Sequence, residues 1–121
     1  MPIEFISFED RVLHLKEEGL ITVADADYYV SIVREYSVKS NRPIIVYIDA
    51  TRVTGFEQQA KLVFIAWSRL PNVLEYVVVV DDTPARTESS KLSSQNTRRN
   101  TRLVFSHNEA TRRIGELLAM N

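Results

Sequence analysis

The sequence RPIIVYIDATRVTGF, residues 42–56, decides the fold of this chain. After Pro43 it contains an unbroken apolar run that ends at Asp49. Because polar residues do not alternate with the apolar ones, we expect both faces of 43–49 to be buried, as in a central strand of a parallel or mixed sheet. A loop over 49–55 and a very apolar helix over 56–70 are predicted to follow.

The segments on either side alternate between strand and helix patterns. Upstream, 3–8 and 11–16 predict a β-hairpin, and a helix is predicted from Thr22, whose capping-box partner is Asp25, to about residue 40. Downstream, 74–82 is a second buried strand. The polar stretch 85–100 is interpreted as a surface helix or a loose segment. A short strand at 102–106 then leads into a terminal amphipathic helix.

This order of elements predicts an α/β sandwich with a mixed, mainly parallel sheet, an N-terminal antiparallel hairpin and about four helices.

With 121 residues, 45% of them apolar, we expect a single domain over 1–121. The chain has no cysteine, which excludes disulfides and thiolate metal sites. No membrane-spanning run or signal peptide is recognised, so we expect a cytoplasmic protein.

Charge is unevenly distributed along the chain. Residues 1–83 carry 8 basic and 13 acidic side chains, whereas residues 84–121 carry 7 and 3. The basic group Arg98, Arg99 and Arg102 is a candidate nucleic-acid surface. No zinc knuckle or aromatic-basic pattern accompanies it, so we interpret it as a solvated basic face and do not expect a nucleic-acid partner.

Polar residues at the carboxyl ends of the predicted strands form a candidate pocket, because ligands of open α/β sheets bind there. They are Asp49, then Asp81, Asp82 and Thr83, then Ser106 and His107. Two interpretations stay open. The hydroxyls and carboxylates hold a phosphate or magnesium ion, or they only cap helices and form turns. We favour caps and turns, and predict no metal site.

The segment Thr51–Gly55 contributes a second candidate, with Asp49, Thr51, Thr54 and Gly55 as a ligand or phospho-acceptor loop. Thr54 precedes the predicted helix, so the alternative role of its hydroxyl is that of a helix cap. An Asp49–His107–Thr54 arrangement would offer a base and a nucleophile, but the spacing does not require it. Glycine-rich phosphate loops and nucleophile elbows are absent, so we predict neither an enzyme nor a cofactor.

The predicted helix 56–70 is apolar around most of its circumference, so two of its sides should be buried. Its second side meets either another part of the domain or another subunit. A homodimer interface is preferred, through Phe56, Leu62, Ile65 and Trp67. Three tyrosines of the preceding helix, Tyr28, Tyr29 and Tyr36, either belong to the core or line an apolar pocket.

The stretch 48–56, IDATRVTGF, between a buried strand and a helix resembles STAS domains, the anti-sigma-factor antagonist (SpoIIAA-like) family. In particular it is similar to a divergent bacterial branch described as STAS/SEC14-like. The DTP at 82–84, the LVFS at 103–106 and the NEA at 108–110 fit that branch, and the resemblance runs over about 10–119. It implies a non-enzymatic regulatory domain in which Thr54 matches the hydroxyl residue that a partner kinase phosphorylates. Arg52-Val53 stands where the antagonists carry Asp-Ser.

We therefore expect a regulatory or interaction module that contacts a protein partner, or a second copy of itself, through the 51–55 loop and the following helix. The alternative is an apolar small-molecule or lipid-binding domain of SEC14 type, which the resemblance also implies. A third hypothesis is an enzyme or phosphate binder in which Asp49, Asp82 and His107 converge.

Overall fold

A computed structural model describes residues 2–67, 70–80 and 100–120, with side chains except at 64–67. These residues form five strands and three helices in an α/β arrangement, and the strands lie in one sheet in the order β1-β2-β3-β4-β5. Only the β1–β2 pair is antiparallel, which confirms the predicted hairpin and mainly parallel sheet. The elements are β1 (Ile3–Glu9), β2 (Val12–Ile21), α1 (Val23–Lys39), β3 (Ile44–Phe56), α2 (Gln58–Trp67), β4 (Val73–Val79), β5 (Thr101–Val104) and α3 (His107–Met120). The helix considered for 85–100 lies outside the described residues.

The hairpin is closed by Asp10 and Arg11, both in the left-handed region of backbone conformation. Such a pair matches the twist of two antiparallel strands. The prediction that β2 ends before Glu17 is wrong, because the strand continues to Ile21. Gly19, at φ +73°, allows this: it sits where the β2–β3 register shifts, so it forms an irregularity within the strand and does not end it.

The longer β2 also explains why the predicted 51–55 loop is a strand. Residues 52–56 continue β3 and pair with β2 in parallel, with Val53 beside Gly19 and Phe56 beside Ile21. Val53 is buried in the core, which ties this end of the strand down. The helix predicted from Phe56 therefore begins later, at Gln58.

One face of the sheet is covered by α1 and α2, which also contact each other. As predicted, Thr22 caps α1: its hydroxyl accepts a hydrogen bond from Asp25 N–H, and Asp25 accepts one from Thr22 N–H. Glu57 joins the starts of α1 and α2 by donating from its N–H to Ile21 and accepting from Val23 N–H.

The opposite face carries α3 over β4 and β5, with a smaller core of its own. Ser106 accepts a hydrogen bond from Glu109 N–H and so caps α3, as the sequence predicted. Midway along the helix, Arg113 donates two hydrogen bonds to the buried carboxylate of Glu75, at 2.8 and 2.9 Å. None of the helices in the described part of the chain has both the length and the apolar character that a membrane crossing requires.

Candidate functional site

Five polar or aromatic side chains lie on or over the sheet face that carries α3. His14 and Tyr47 are register partners on β2 and β3, and Lys16 and Asp49 are the next pair on the same face. His107, the first residue of α3, follows β5 and reaches β3 across β4. Alternation along the strands therefore aligns these groups, and the cap at Ser106 places the imidazole above them.

The contacts within this group are direct. The His14 and Tyr47 rings stack with centroids 4.3 Å apart and planes 8° apart. The Tyr47 hydroxyl is hydrogen-bonded to His107 Nδ1, and His107 Nε2 lies 3.6 Å from Asp49 Oδ2. We call Tyr47, His107 and Asp49 the relay, because each is in contact with the next.

Asp49 is held in its charged form. Burial by itself would raise the pKa of its carboxyl, but hydrogen bonds from the Thr51 hydroxyl, at 2.7 Å, and the Thr51 N–H, at 3.1 Å, outweigh this. With further help from His107 and Lys16, the net result is a pKa below the ordinary value. The carboxylate therefore provides a fixed negative charge beside the imidazole.

The two aromatic members of the group stay uncharged. Burial, together with the negative charge of Asp49, raises the pKa of Tyr47, so its phenol keeps its proton. Burial lowers the pKa of His14, with a further contribution from His107 and against the opposing effect of Asp49. His14 is thus a neutral ring stacked on a neutral phenol, next to a carboxylate.

This arrangement is suited to proton transfer and hydrogen bonding more than to metal binding. The described residues contain no group of three or more His, Asp or Glu side chains that could hold a metal ion. A hydroxyl, an imidazole and a carboxylate in sequence are the parts of a general-base system. His107 supplies an accessible imidazole, because 53% of its side chain is exposed.

Of the Asp49–His107–Thr54 arrangement that the sequence allowed but did not require, the structure places His107 beside Asp49, and Thr54 does not join them. Thr54 lies five residues beyond Asp49 on the same strand, about 16 Å away at 3.3 Å per residue. Tyr47 takes the place of the hydroxyl group, and Thr51 is the other predicted residue that contacts Asp49. The predicted partners Asp81, Asp82 and Thr83 lie outside the described residues, as do Arg98 and Arg99.

The sequence patterns considered above identified neither Tyr47 nor His14 as a site residue. A signal was available. Within their strands, both occupy positions that alternate with residues of the main core, Leu13 and Leu15 in β2 and Val46 and Ile48 in β3. What the pattern could not supply was the register that makes them neighbours.

The second candidate region is the end of β3. Thr54 is exposed on a strand, and α2 begins four residues later, so its hydroxyl does not cap that helix. Gly55 lies beside Leu20, which pairs with it from β2 and is 52% exposed. The paired ends of β2 and β3 thus present an apolar side chain and a hydroxyl to solvent.

The predicted interface residues lie in different surroundings. Leu62, on α2, is 58% exposed, whereas Phe56 is partly buried and packs against the main core. The side chains of Ile65 and Trp67 are outside the described part of the structure.

The tyrosines of α1 also separate. Tyr28 is exposed and Tyr29 is buried, while Tyr36 packs on Phe5 and Phe8 of β1.

Comparison with known proteins adds the fold but no activity. Neither models of known protein families nor curated protein sequences match the chain. Solved structures do match. One is an uncharacterised DUF3478-family protein from Shewanella loihica PV-4, described as having a SpoIIAA-like fold. The match has a TM-score of 0.64 at 13% identity and covers 90% of this chain and 89% of that one. The predicted SpoIIAA-like architecture is thereby confirmed at the level of the fold, and this chain has a SpoIIAA-like α/β fold.

Proposed function

We propose that this SpoIIAA-like domain is a non-enzymatic regulatory module of the cytoplasm that acts by protein–protein contact. Its contact surface is the docking surface formed by Leu20, Thr54, Gly55 and the exposed side of α2 at Leu62. The observation that supports it most directly is the position of Thr54, whose exposed hydroxyl has no role as a helix cap.

Exposed apolar side chains on the neighbouring β2 and on the following α2 support the same proposal. Leu20 and Leu62 are each more than half exposed. Burying such a side chain fully against a partner contributes about 1.5–3 kcal/mol. A phosphate on Thr54 would add about two negative charges to the docking surface, and removing that charge from water would oppose association. The partner is a second copy of the chain or another protein.

The docking surface is tested by photo-crosslinking in the host cell. A photoreactive phenylalanine analogue is placed at position 62, or at position 38 as a matched control. Val38 is an exposed apolar residue near the C-terminal end of α1. We expect a discrete protein adduct, identified by mass spectrometry, from position 62 and none from position 38.

Thr54→Glu then tests the role of the hydroxyl. We expect the position-62 adduct to decrease by at least about tenfold, equivalent to a loss of about 1.4 kcal/mol of binding free energy. Thr111→Glu adds the same charge to an exposed site on α3 and should leave the adduct intact. The proposal is wrong if positions 62 and 38 give equal amounts of adduct. It is also wrong if Thr54→Glu leaves the position-62 adduct unchanged.

Binding of an apolar small molecule is a second candidate, and one observation favours it. The Tyr76 hydroxyl is buried between α1 and the sheet, and none of the described residues forms a hydrogen bond with it. An unpartnered buried hydroxyl costs about 1–3 kcal/mol, so a polar group of a bound molecule would stabilise it. Native mass spectrometry of protein purified from its host would reveal such a molecule as a retained mass, which Tyr76→Phe should reduce. Protein of bare mass would exclude this candidate.

A further inference from the structure

The relay of Tyr47, His107 and Asp49 has the order of parts that activates a nucleophile. A hydroxyl is hydrogen-bonded to one nitrogen of an imidazole, and the other nitrogen lies 3.6 Å from a carboxylate. In such systems the imidazole removes the hydroxyl proton as the oxygen attacks, and the carboxylate stabilises the imidazolium that forms.

The arrangement also indicates which ring nitrogen of His107 carries the proton. Asp49 carries a negative charge 3.6 Å from Nε2, so when the His107 ring holds a single proton we place it on Nε2, facing that charge. Nδ1 is then an acceptor, and the protonated Tyr47 phenol donates to it. The nitrogen that faces the hydroxyl is therefore the one able to receive its proton.

We propose that Tyr47 is a covalent acceptor site, whose phenol oxygen takes an acyl group from an activated ester with His107 as the base and Asp49 as the group that positions His107. The phenol oxygen bonds to the carbonyl carbon, and the bond from that carbon to the leaving oxygen breaks. The leaving oxygen departs with the electron pair, and the phenol proton passes to His107 Nδ1. The product is an acylated tyrosine, an alkoxide or phenoxide leaving group and an imidazolium beside Asp49.

The charges around the relay favour an uncharged electrophile. Asp49 lies beside the imidazole, and the charge of the neighbouring cation Lys16 is shared with Glu18, its ion-pair partner at 3.8 Å. Carboxylates repel an anionic phosphoryl donor but do not repel the carbonyl of an ester. Access is available because His107 is exposed and Tyr47 is only half buried. This inference does not depend on the docking surface, since Thr54 lies far along β3 from the relay.

The test uses the full chain and p-nitrophenyl acetate as the activated ester. Peptide mass spectrometry measures acetylation of each tyrosine with time. Tyr28, which is exposed and belongs to α1, serves as a control within the same molecule. General-base assistance is worth about 10²–10⁴ in rate, so even with partial burial we expect Tyr47 to react at least about tenfold faster than Tyr28.

Variants connect the rate to the relay. His107→Ala should lower acetylation of Tyr47 to the level of Tyr28, and Asp49→Asn should lower it in part. Arg112→Ala, an exposed change on the same helix, should leave it unchanged. The Tyr28 rate and the circular dichroism spectrum report whether each variant is still folded.

The pH dependence of Tyr47 acetylation in the unmodified protein distinguishes general-base assistance from a purely structural hydrogen bond. A structural hydrogen bond would not give the rate the pH profile of an imidazole. The titratable groups that face the His107 ring are Tyr47 and Asp49 on β3 and His14 on β2, and Lys16 on β2 lies near Asp49. Tyr47 acetylation should rise between about pH 5 and 8, where imidazoles lose their proton, and then level off. An unassisted phenol reacts increasingly towards about pH 10. If Tyr47 reacts no faster than Tyr28, follows the same pH curve, or is unaffected by His107→Ala, the proposal is overturned.

Discussion

Glu17 occupies a position in β2 that the pattern of the strand assigns to the core. Leu13 and Leu15 precede it on the same face, and all three are buried. Burial, with a smaller contribution from the nearby Asp25, raises the pKa of Glu17 to about 8. A carboxyl group in this environment is therefore neutral at pH 7, and ionising it requires placing a charge next to the carboxylate that caps α1.

As a consequence, protonation of Glu17 makes the free energy of unfolding depend on pH. In the unfolded chain Glu17 titrates near 4.5, and in the folded protein near 8. The folded protein binds this proton more tightly than the unfolded chain does. Protonation of Glu17 therefore stabilises the fold in full below about pH 4.5, and this stabilisation is lost as the pH rises to about 8. At about 1.36 kcal/mol per pKa unit, the loss is at most about 5 kcal/mol.

Glu17→Gln should remove this dependence, because an amide does not titrate. We expect urea unfolding to give a free energy for the variant that falls less steeply than the parent's between pH 4.5 and 8. Glu18→Gln is the matched control, since Glu18 is the next residue but is partly exposed and paired with Lys16. Parallel pH curves for Glu17→Gln and the parent would contradict the argument.

At the scale of elements, α3 is held to the sheet by a buried ion pair as well as by its apolar side. Arg113 binds both oxygens of Glu75, whose side chain is only 7% exposed, and Arg102 approaches the same carboxylate at 3.5 Å. Two arginines from different elements therefore share one buried charge. Hydrogen bonding to Glu75 also raises the pKa of Arg113.

Arg113→Ala should destabilise the domain by about 2 kcal/mol. Removing one partner of a buried pair usually costs about 3–5 kcal/mol, and Arg102 remains to offset part of this. Arg112→Ala, at the neighbouring exposed position, should cost less than about 0.5 kcal/mol. Urea midpoints of the two variants measure the difference. Equal midpoints would mean that the apolar contacts of α3 alone hold it in place.

Local patterns predicted most elements, because each depends on neighbours in the chain. The cap at Thr22 and the apolar run after Pro43 are examples, and both are present in the structure. The end of β3 could not be predicted in this way. Residues 51–55 resemble a loop by composition, and they become a strand only because Gly19 lets β2 continue alongside them.

The candidate sites likewise combine residues that local patterns could predict with contacts that depend on distant parts of the chain. Asp49 and His107 were predicted as strand-end groups, since parallel strands bring their ends to one edge. The Tyr47–His107 hydrogen bond, by contrast, joins residues 60 positions apart. It depends on the register of β3, β4 and β5 and on where α3 begins, neither of which is encoded by the residues near Tyr47.

At the scale of the whole molecule, the sheet separates two cores that share its central strand. Ile44 and Ile45 are consecutive, both fully buried, and point to opposite faces of β3. Ile44 belongs to the larger core under α1 and α2, and Ile45 to the smaller core under α3. The same side chain at adjacent positions therefore provides a matched probe of each core.

Ile44→Val and Ile45→Val each remove one methylene, at a typical cost of about 0.5–1.5 kcal/mol, so both variants should remain folded. Hydrogen exchange followed by mass spectrometry then reports where protection is lost. We expect Ile45→Val to speed exchange in α3 and leave α1 nearly unchanged, and Ile44→Val to do the reverse. The reason is that each helix is packed on one core only, so a loosened core lowers the cost of opening that helix locally. If either substitution speeds exchange equally in α1 and α3, the two cores open as one cooperative unit and the sheet does not separate them.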